Sequence, residues 1–423
     1  MDTIVALSSG RPPAAIAVIR ISGPAAFDVA AGLAGPLPTP RHASLRALRT
    51  EDGSLLDRAL VVVFPGPASA TGEDIVELHC HGGRTVVTAI EAALTERPGV
   101  RSALPGEFTR RAVMNGRLDL AQAGGLADLL DAETEAQRRA AMAASEGDVS
   151  RAIRGWLTRV AAIAAQVEAS LDFAEEGDVE TEADLFGRAR AEAATLRDEI
   201  VAILASPPVE RLRDGVRVVI AGPPNSGKST LLNLMAEREA AIVSPYSGTT
   251  RDRVEVPMQR DGVAYVLTDT AGLTDAADPV ERMGVSLAER AIDEADVLVW
   301  LGDAAPPRPA LWVHSRADLP GREGLPAGRA LAVRQDRRAT ITALWAAVGD
   351  QAAMLLPTLD QLPLKRAQRD ACSNAVVALA LSPNVLVAAE QLRTAGGSLG
   401  SILGIDATEA MLDSLFSRFC IGK

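Results

Sequence analysis

Residues 222–229 read Gly-Pro-Pro-Asn-Ser-Gly-Lys-Ser. Two glycines, a lysine and a serine stand at the spacing of a phosphate-binding loop. Gly222 and Gly227 let backbone N–H groups curl around phosphate oxygens, with Asn225, Ser226 and Thr230 in the same wrap. Lys228 is placed to reach the β and γ phosphates, and Ser229 to ligate Mg²⁺. A second phosphate element follows, Asp269-Thr270-Ala271-Gly272. Asp269, at a strand end, can hold the water shell of Mg²⁺, and Gly272 can turn its N–H towards a γ-phosphate. The two elements in this order predict a switch NTPase rather than generic nucleotide binding.

These groups need a strand before the loop and a helix after it. Val216 to Ile220 is a β-branched run that reads as a buried strand, and Thr230 to Met235 reads as the helix. Strands are expected at 253–258, 263–268, 296–301 and 310–314, giving a mostly parallel sheet over 213–355. On either side the period changes. Residues 119–171 and 184–204 carry Leu, Ile, Val and Ala at helical spacing, and Pro207-Pro208 stops that run. An acidic stretch, 175–182, reads as solvated surface that starts or joins helices. The tail, 356–423, is helical again. Ahead of all this, 1–118 reads as a small α+β domain with strands at 4–7, 16–21, 59–64 and 75–80 and a helix at 86–94.

Composition bounds the rest. The chain of 423 residues needs more than one core. Acidic residues outnumber basic ones 55 to 43, which argues against a generally basic nucleic-acid coat but leaves room for a local patch. Three cysteines make no disulfide framework. No basic-then-apolar leader and no apolar run of membrane-spanning length are evident, so a cytoplasmic protein with no membrane contact is expected. Aromatic residues are only 3%, so the cores must rest on Ala, Leu and Val. His79 and His81 share a strand face, yet no third or fourth ligand stands at a zinc-like spacing. Cys420, fourth from the end, is followed by Ile421-Gly422-Lys423, which does not match a prenylation signal.

Three blocks together resemble the MnmE (TrmE) family over the whole length. The first holds Ile19-Arg20-Ile21-Ser22-Gly23, Thr71-Gly72-Glu73-Asp74, Glu77-Leu78-His79-Cys80-His81-Gly82-Gly83, Pro105-Gly106-Glu107-Phe108-Thr109-Arg110-Arg111-Ala112 and Asn115-Gly116-Arg117-Leu118-Asp119-Leu120. The second is the GTPase segment, and the third is the terminal Phe419-Cys420-Ile421-Gly422-Lys423. The resemblance implies a tetrahydrofolate-binding and dimerisation domain at 1–118. A helical domain at 119–212 and 356–423 would be interrupted by a Ras-like P-loop GTPase domain at 213–355. It implies a homodimer that hydrolyses GTP and works with the FAD-dependent partner MnmG (GidA). Together they would modify C5 of tRNA wobble uridine 34 with an aminomethyl or carboxymethylaminomethyl type of group. The one-carbon unit would come from 5,10-methylenetetrahydrofolate, of which 5-formyltetrahydrofolate is an analogue.

The same resemblance assigns residues. Potassium takes the place of an arginine finger, with Asn225 as ligand and the 244–250 loop enclosing the ion through Ser244, Tyr246 and Thr249, beside Gly248. Thr250 matches the switch threonine on Mg²⁺, and Glu281 the glutamate that orients the attacking water. Arg20, Glu73, Arg117 and Lys423 fall to the folate side. Cys420 is either a functional thiol or a packing residue. The chain also departs from the family. Ser315-Arg316-Ala317-Asp318 stands for Asn-Lys-x-Asp, leaving Asp318 alone to accept from N1–H and N2–H of guanine. The Ser-Ala loop is degraded near Ala332-Val333-Arg334, Ala14-Ala15 replace glycines, and Arg117 replaces lysine. Two other readings stand: a ribosome- or assembly-associated switch GTPase, and a folate-binding scaffold with weakened turnover. The N-terminal block and terminal cysteine oppose the first, and nucleotide turnover decides the second.

Overall fold

A computed structural model describes residues 2–176, 179–236, 255–270, 281–358, 361–405, 412, 415–416 and 419–422, with backbone alone for 172–176, 179–184 and 281–287. The chain divides into two compact units. One takes 1–127, 144–157 and 399–423, the other 128–143 and 158–398. This division places the end of the tail with the N-terminal segment, where the sequence boundaries put all of 356–423 in one helical domain.

The first unit is built on a six-stranded sheet. Its strands are β1 (Thr3–Leu7), β2 (Ile16–Ser22), β3 (Ser44–Arg49), β4 (Leu55–Phe64), β5 (Ile75–His81) and β6 (Val100–Ser102), in the order β3-β4-β5-β2-β1-β6. Only the β1–β6 pair is parallel. Helices α1 (Ala26–Ala34) and α2 (Arg84–Thr95) cover one face. Ile19, Ile21, Val61, Leu78 and Cys80 of the strands meet Val29, Leu33, Ile90 and Leu94 of the helices there. Period-two alternation sends the next residues to the other face. In register across it lie Ala6, Arg20, Glu77 and Val62. Helix α3 (Glu107–Met114) packs Phe108 against Ile4, Ala6 and Ala103 at one end of this face.

An ionic network, buried at Glu107 and Arg111 and open to solvent at Asp2 and Arg101, fixes that end. Arg111 donates to Asp2 Oδ1 at 2.7 Å, Glu73 Oε2 at 3.0 Å and Glu107 Oε1 at 3.1 Å. Arg101 takes Glu107 in a fork at 2.6 and 2.8 Å and reaches Asp2 Oδ2 at 2.5 Å. Ser22 Oγ donates to Glu73 Oε2 at 2.8 Å. Ser22, Thr71, Glu107 and Arg111 are all buried, so each charge must find a partner inside. Helix α4 (Leu120–Leu130) adds Leu120 and Ala123, against which Leu412, Phe416 and Phe419 of the tail pack.

The second unit carries helices and the other sheet. Helices α6 (Asp148–Glu176), which begins in the first unit, and α7 (Val179–Leu204) are long; α5 (Glu135–Ser145) precedes them and α8 (Glu210–Asp214) follows. Residues 177–178, inside the acidic stretch, lie outside the described residues. Ile163, Val167, Ala189, Ala193, Leu196 and Ile200 are buried along the two long helices, at the spacing the sequence offers. Beyond the sheet, α12 (Arg366–Ala378) and α13 (Val385–Leu403) return to this layer. Arg369 donates to the Leu204 carbonyl, and Lys365 pairs with Asp128 at 2.7 Å.

The sheet runs β12-β11-β10-β7-β9-β8, from β7 (Val216–Ala221), β8 (Glu255–Arg260), β9 (Val263–Asp269), β10 (Val297–Trp300), β11 (Leu311–His314) and β12 (Leu331–Ala332). It is parallel except for the edge pair β8–β9. Helices α9 (Lys228–Ala236) and α11 (Arg338–Leu355) close one face around Leu231, Leu344, Trp345 and Val348. Helix α10 (Glu281–Glu294) closes the other with Ala291. Among the described residues no helix is long and apolar enough to cross a membrane.

The first unit should weaken in acid. Burial pushes the Glu107 carboxyl up, but hydrogen bonds from Arg101, Leu104 N–H and Arg111 outweigh it and hold the group below its ordinary 4.5. A lowered folded-state pKa gives stability that is present above the unfolded value and lost as pH falls through the folded one. Urea denaturation should therefore show the midpoint falling below about pH 4.5. Glu107→Gln should flatten that acid limb.

Candidate functional site

Strand β7 lies between β9 and β10, so the chain order reverses there and leaves a crevice at the carboxyl ends. The phosphate-loop sequence fills that place. Gly222 leaves β7 at φ 154° and Gly227 turns into α9 at φ 94°. Asn225 is left-handed at φ 57°, an unusual position for a residue with a side chain and one that asparagine tolerates better than most. A Cβ on Gly222 would stand 3.0 Å from Ser226 Oγ and 3.2 Å from Gly302 N, so the loop needs glycine for space as well as for torsion.

Lys228 opens α9 and is buried, its Nζ donating to Gly222 O and Pro223 O at 3.0 Å each. Ser229 Oγ donates to Asp269 Oδ2 at 2.5 Å. The register explains this meeting: Asp269 pairs with Ile220 at the end of β9, one loop away from Ser229. Thr270 N–H and Oγ1 both donate to Ile220 O, at 3.3 and 3.1 Å, and lock the exit of β9 onto β7. Ser226 Oγ is buried without a partner, which fits a loop shaped to wrap a polar ligand. On the far side Ser315 Oγ donates to Ser226 O at 2.8 Å. Arg316, at φ 56°, lies along Gly227, whose added Cβ would sit 3.6 Å from its Cγ. Asp318 follows, half-buried, and accepts from Gln335 Nε2 at 3.1 Å.

The first unit offers a second polar cluster, on the open face of its sheet. Arg20 donates to Glu77 Oε1 through Nε at 3.1 Å and Nη2 at 2.8 Å, and its guanidinium lies over the Phe108 ring, 5.6 Å from the centroid. His79 Nε2 stands 3.3 Å from Glu77 Oε2. His81 is engaged elsewhere, with Asp57 at 2.7 Å. Arg117 Nε donates to Ser69 O at 3.1 Å, and Asn115 Nδ2 to Thr71 O at 2.7 Å. Gly72, at φ 80°, admits Asn115 so closely that a Cβ there would stand 2.8 Å from the asparagine Cβ.

The tail ends on the same unit. Gly106 N–H donates to Cys420 O at 3.3 Å, and Ser8 Oγ to Gly422 O at 2.8 Å. Cys420 itself is exposed, whereas Cys80 and Cys372 are buried.

Residues 3–117 match the family described as the N-terminus of the GTP-binding protein TrmE, and residues 120–420 match the MnmE helical domain. The chain belongs to the MnmE (TrmE) family. It is 49% identical over 428 residues to the tRNA modification GTPase MnmE of Erythrobacter litoralis, covering all of both chains. It is 50% identical over 430 residues to that of Rhizorhabdus wittichii, covering all of this chain and 97% of the relative. With the MnmE of Zymomonas mobilis the identity is 44% over 440 residues, again across both chains.

Within this MnmE-family chain the structure gathers Gly222, Asn225, Ser226, Gly227, Lys228, Ser229, Thr230, Asp269 and Thr270 at one crevice, with Asp318 tied to its rim through Ser315. Ser244, Tyr246, Gly248, Thr249, Thr250, Ala271, Gly272 and Lys423 lie outside the described residues. Glu281 opens α10, with its backbone alone described. Glu73 is turned into the Arg111 network, and Glu77 is the carboxylate beside Arg20. Alternation along 75–80 puts Glu77 on the polar face of its strand. That β5 pairs with β2, bringing Glu77 opposite Arg20, is a matter of register that no local pattern carries.

Burial pushes the Cys80 thiol up to about 11 and the Cys372 thiol up to about 12, leaving both short of thiolate at neutral pH. A maleimide at pH 7 should label the native chain once, at Cys420, with Cys80 and Cys372 reacting only after unfolding. Peptide mapping checks the site.

Proposed function

We propose that the chain is a K⁺-activated GTP hydrolase that acts with an FAD-dependent MnmG-type partner in C5 modification of tRNA wobble uridine 34. The observation that carries the GTPase half is the meeting of Ser229 and Asp269 at the switch point, 2.5 Å apart. A hydroxyl and a carboxylate from two different strand exits are the oxygen donors that Mg²⁺ prefers. Bound there, Mg²⁺ would neutralise charge on the β and γ phosphates. Lys228 adds a fixed positive charge over the loop, and the start of α9 offers backbone N–H groups to phosphate oxygens. Asn225, held left-handed, is the potassium ligand in this reading, with Ser244, Tyr246 and Thr249 completing the enclosure; K⁺ would offset charge moving towards the β–γ bridge. Thr250 serves Mg²⁺, and Gly248, Ala271 and Gly272 line the nucleotide. Glu281, first residue of α10, orients the attacking water.

The folate half rests on the open face of the first unit. Arg20 suits a ligand carboxylate or carbonyl, and Glu77 accepts from the amino-pyrimidine edge of a pterin. Arg117 and Lys423 supply further positive charge. Glu73 then acts behind the site, fixing Arg111 and Ser22. The bound folate supplies the one-carbon unit, and Cys420 stands exposed on the unit that binds it. The same reading makes the protein a cytoplasmic homodimer through this unit, with tRNA as substrate.

The test of the whole is a reconstitution with the FAD-dependent partner, GTP, Mg²⁺, 5,10-methylenetetrahydrofolate and unmodified tRNA. In K⁺, phosphate release and modified uridine 34, read by nucleoside mass spectrometry, should both appear. In Na⁺ at equal ionic strength both should fall sharply. GTP turnover without modified uridine would favour a ribosome- or assembly-associated switch GTPase. A folate assay separates the two carboxylates. Glu77→Gln should weaken 5-formyltetrahydrofolate binding by about tenfold or more, the scale of one hydrogen bond to a charged group. Glu73→Gln should instead lower the melting temperature.

A further inference from the structure

The segment that stands in the place of a guanine-reading motif is Ser315-Arg316-Ala317-Asp318. Its carboxylate is braced from outside the motif. Gln335 Nε2 donates to Asp318 Oδ2 at 3.1 Å. The two backbones are tied to each other: Ala317 N–H donates to Val333 O at 3.2 Å, and Val333 N–H to His314 O at 2.8 Å. Arg334 N–H donates to Thr340 Oγ1 at 3.1 Å, which anchors the Gln335 side of the ladder to α11. The Asp318 side is anchored to the phosphate loop through Ser315 and Ser226 O. Arg334, the nearest guanidinium in sequence, is engaged with Asp336 at 2.8 and 2.9 Å.

A carboxylate that accepts from N1–H and N2–H together must lie in the plane of the base edge. Rotation about its Cβ–Cγ bond breaks one of the two bonds. A donor on one oxygen restricts that rotation and still leaves each oxygen a lone pair for the base. Ser315 is too short to reach both loop and base, and Arg316 lies along Gly227. The brace therefore falls to Gln335. We propose that Gln335 is a positioning residue for guanine recognition, holding the Asp318 carboxylate in the plane of the base edge. This rests on Asp318 being the guanine acceptor.

The test uses the full chain with a fluorescent GDP, displaced by GDP or by IDP. IDP lacks the 2-amino group, so the preference for GDP over IDP reads the Asp318 contact. Gln335→Met keeps the length and loses the donor, and Gln335→Lys restores a donor. In Gln335→Met the preference should shrink about threefold to tenfold, with melting temperature and kcat at saturating GTP unchanged. In Gln335→Lys it should return towards wild type. An unchanged preference in Gln335→Met overturns the proposal. So does an equal loss of GDP and IDP affinity, which a merely structural role would produce. A wild-type chain that does not prefer GDP over IDP overturns the guanine reading of Asp318, and the proposal with it.

Discussion

The pairing of β9 with β7 in parallel register is the constraint on which the crevice at their carboxyl ends depends. It sets Asp269 beside Ile220, and the chain leaving β7 must then turn within a few residues to start α9. The loop makes that turn with glycines at 222 and 227 and a left-handed residue at 225, all at positive φ. A slip of one residue would send Asp269 to the other face of the sheet and separate it from Ser229. The hydrophobic layers on both faces of β7 oppose such a slip. Val218 and Ile220 face α9 and α11, while Val219 and Ala221 face α10.

The first unit solves a different problem. It must hold a polar face steady that α3 covers only in part. The helices that bury the other face give stability, and the Arg111 network gives position. Removing Arg111 would leave half-buried Glu73 without its cationic partner, while Glu107 would keep Arg101. The network thereby joins the start of the chain at Asp2, the 71–74 turn and α3 into one frame. Arg20 and Glu77 stand on the strands immediately beside that frame.

The strand, loop and helix around residues 216–236 were legible in the sequence because their signals are local. A β-branched strand, a glycine loop and a helix start lie within fifteen consecutive residues, and the Asp269 element stands at the end of its own strand. The long helices were legible for the same reason, since Ile163, Val167, Leu196 and Ile200 repeat at helical spacing. What needed the structure was partnership. Helix α1, with the short alanine-rich sequence AFDVAAGLA, and strand β3, with Arg46 between its two leucines, have weak local signatures and are defined by what they pack on. Strand β4 starts at Leu55, ahead of its apolar run, because pairing with β3 extends it. Glu73 and Glu77 are four residues apart, and the structure sends the first to Arg111 and Ser22 and the second to Arg20 and His79. The residues around the switch loop, 237–254 and 271–280, lie outside the described residues.

The seating of Gly422 has a consequence for how the protein is made. At φ 95°, an added Cβ would come within 2.0 Å of the Leu7 carbonyl, and Ser8 reaches its carbonyl across 414 residues of sequence. Phe416 and Phe419 fill the same unit against α4. A ribosome extends a chain at about 5–20 residues per second, and domains fold as they emerge. The strands of the first unit are thus made well before Phe416, Phe419 and Gly422, which pack beside β1 and α4. The packing of the first unit is therefore completed by residues far along the chain from its strands.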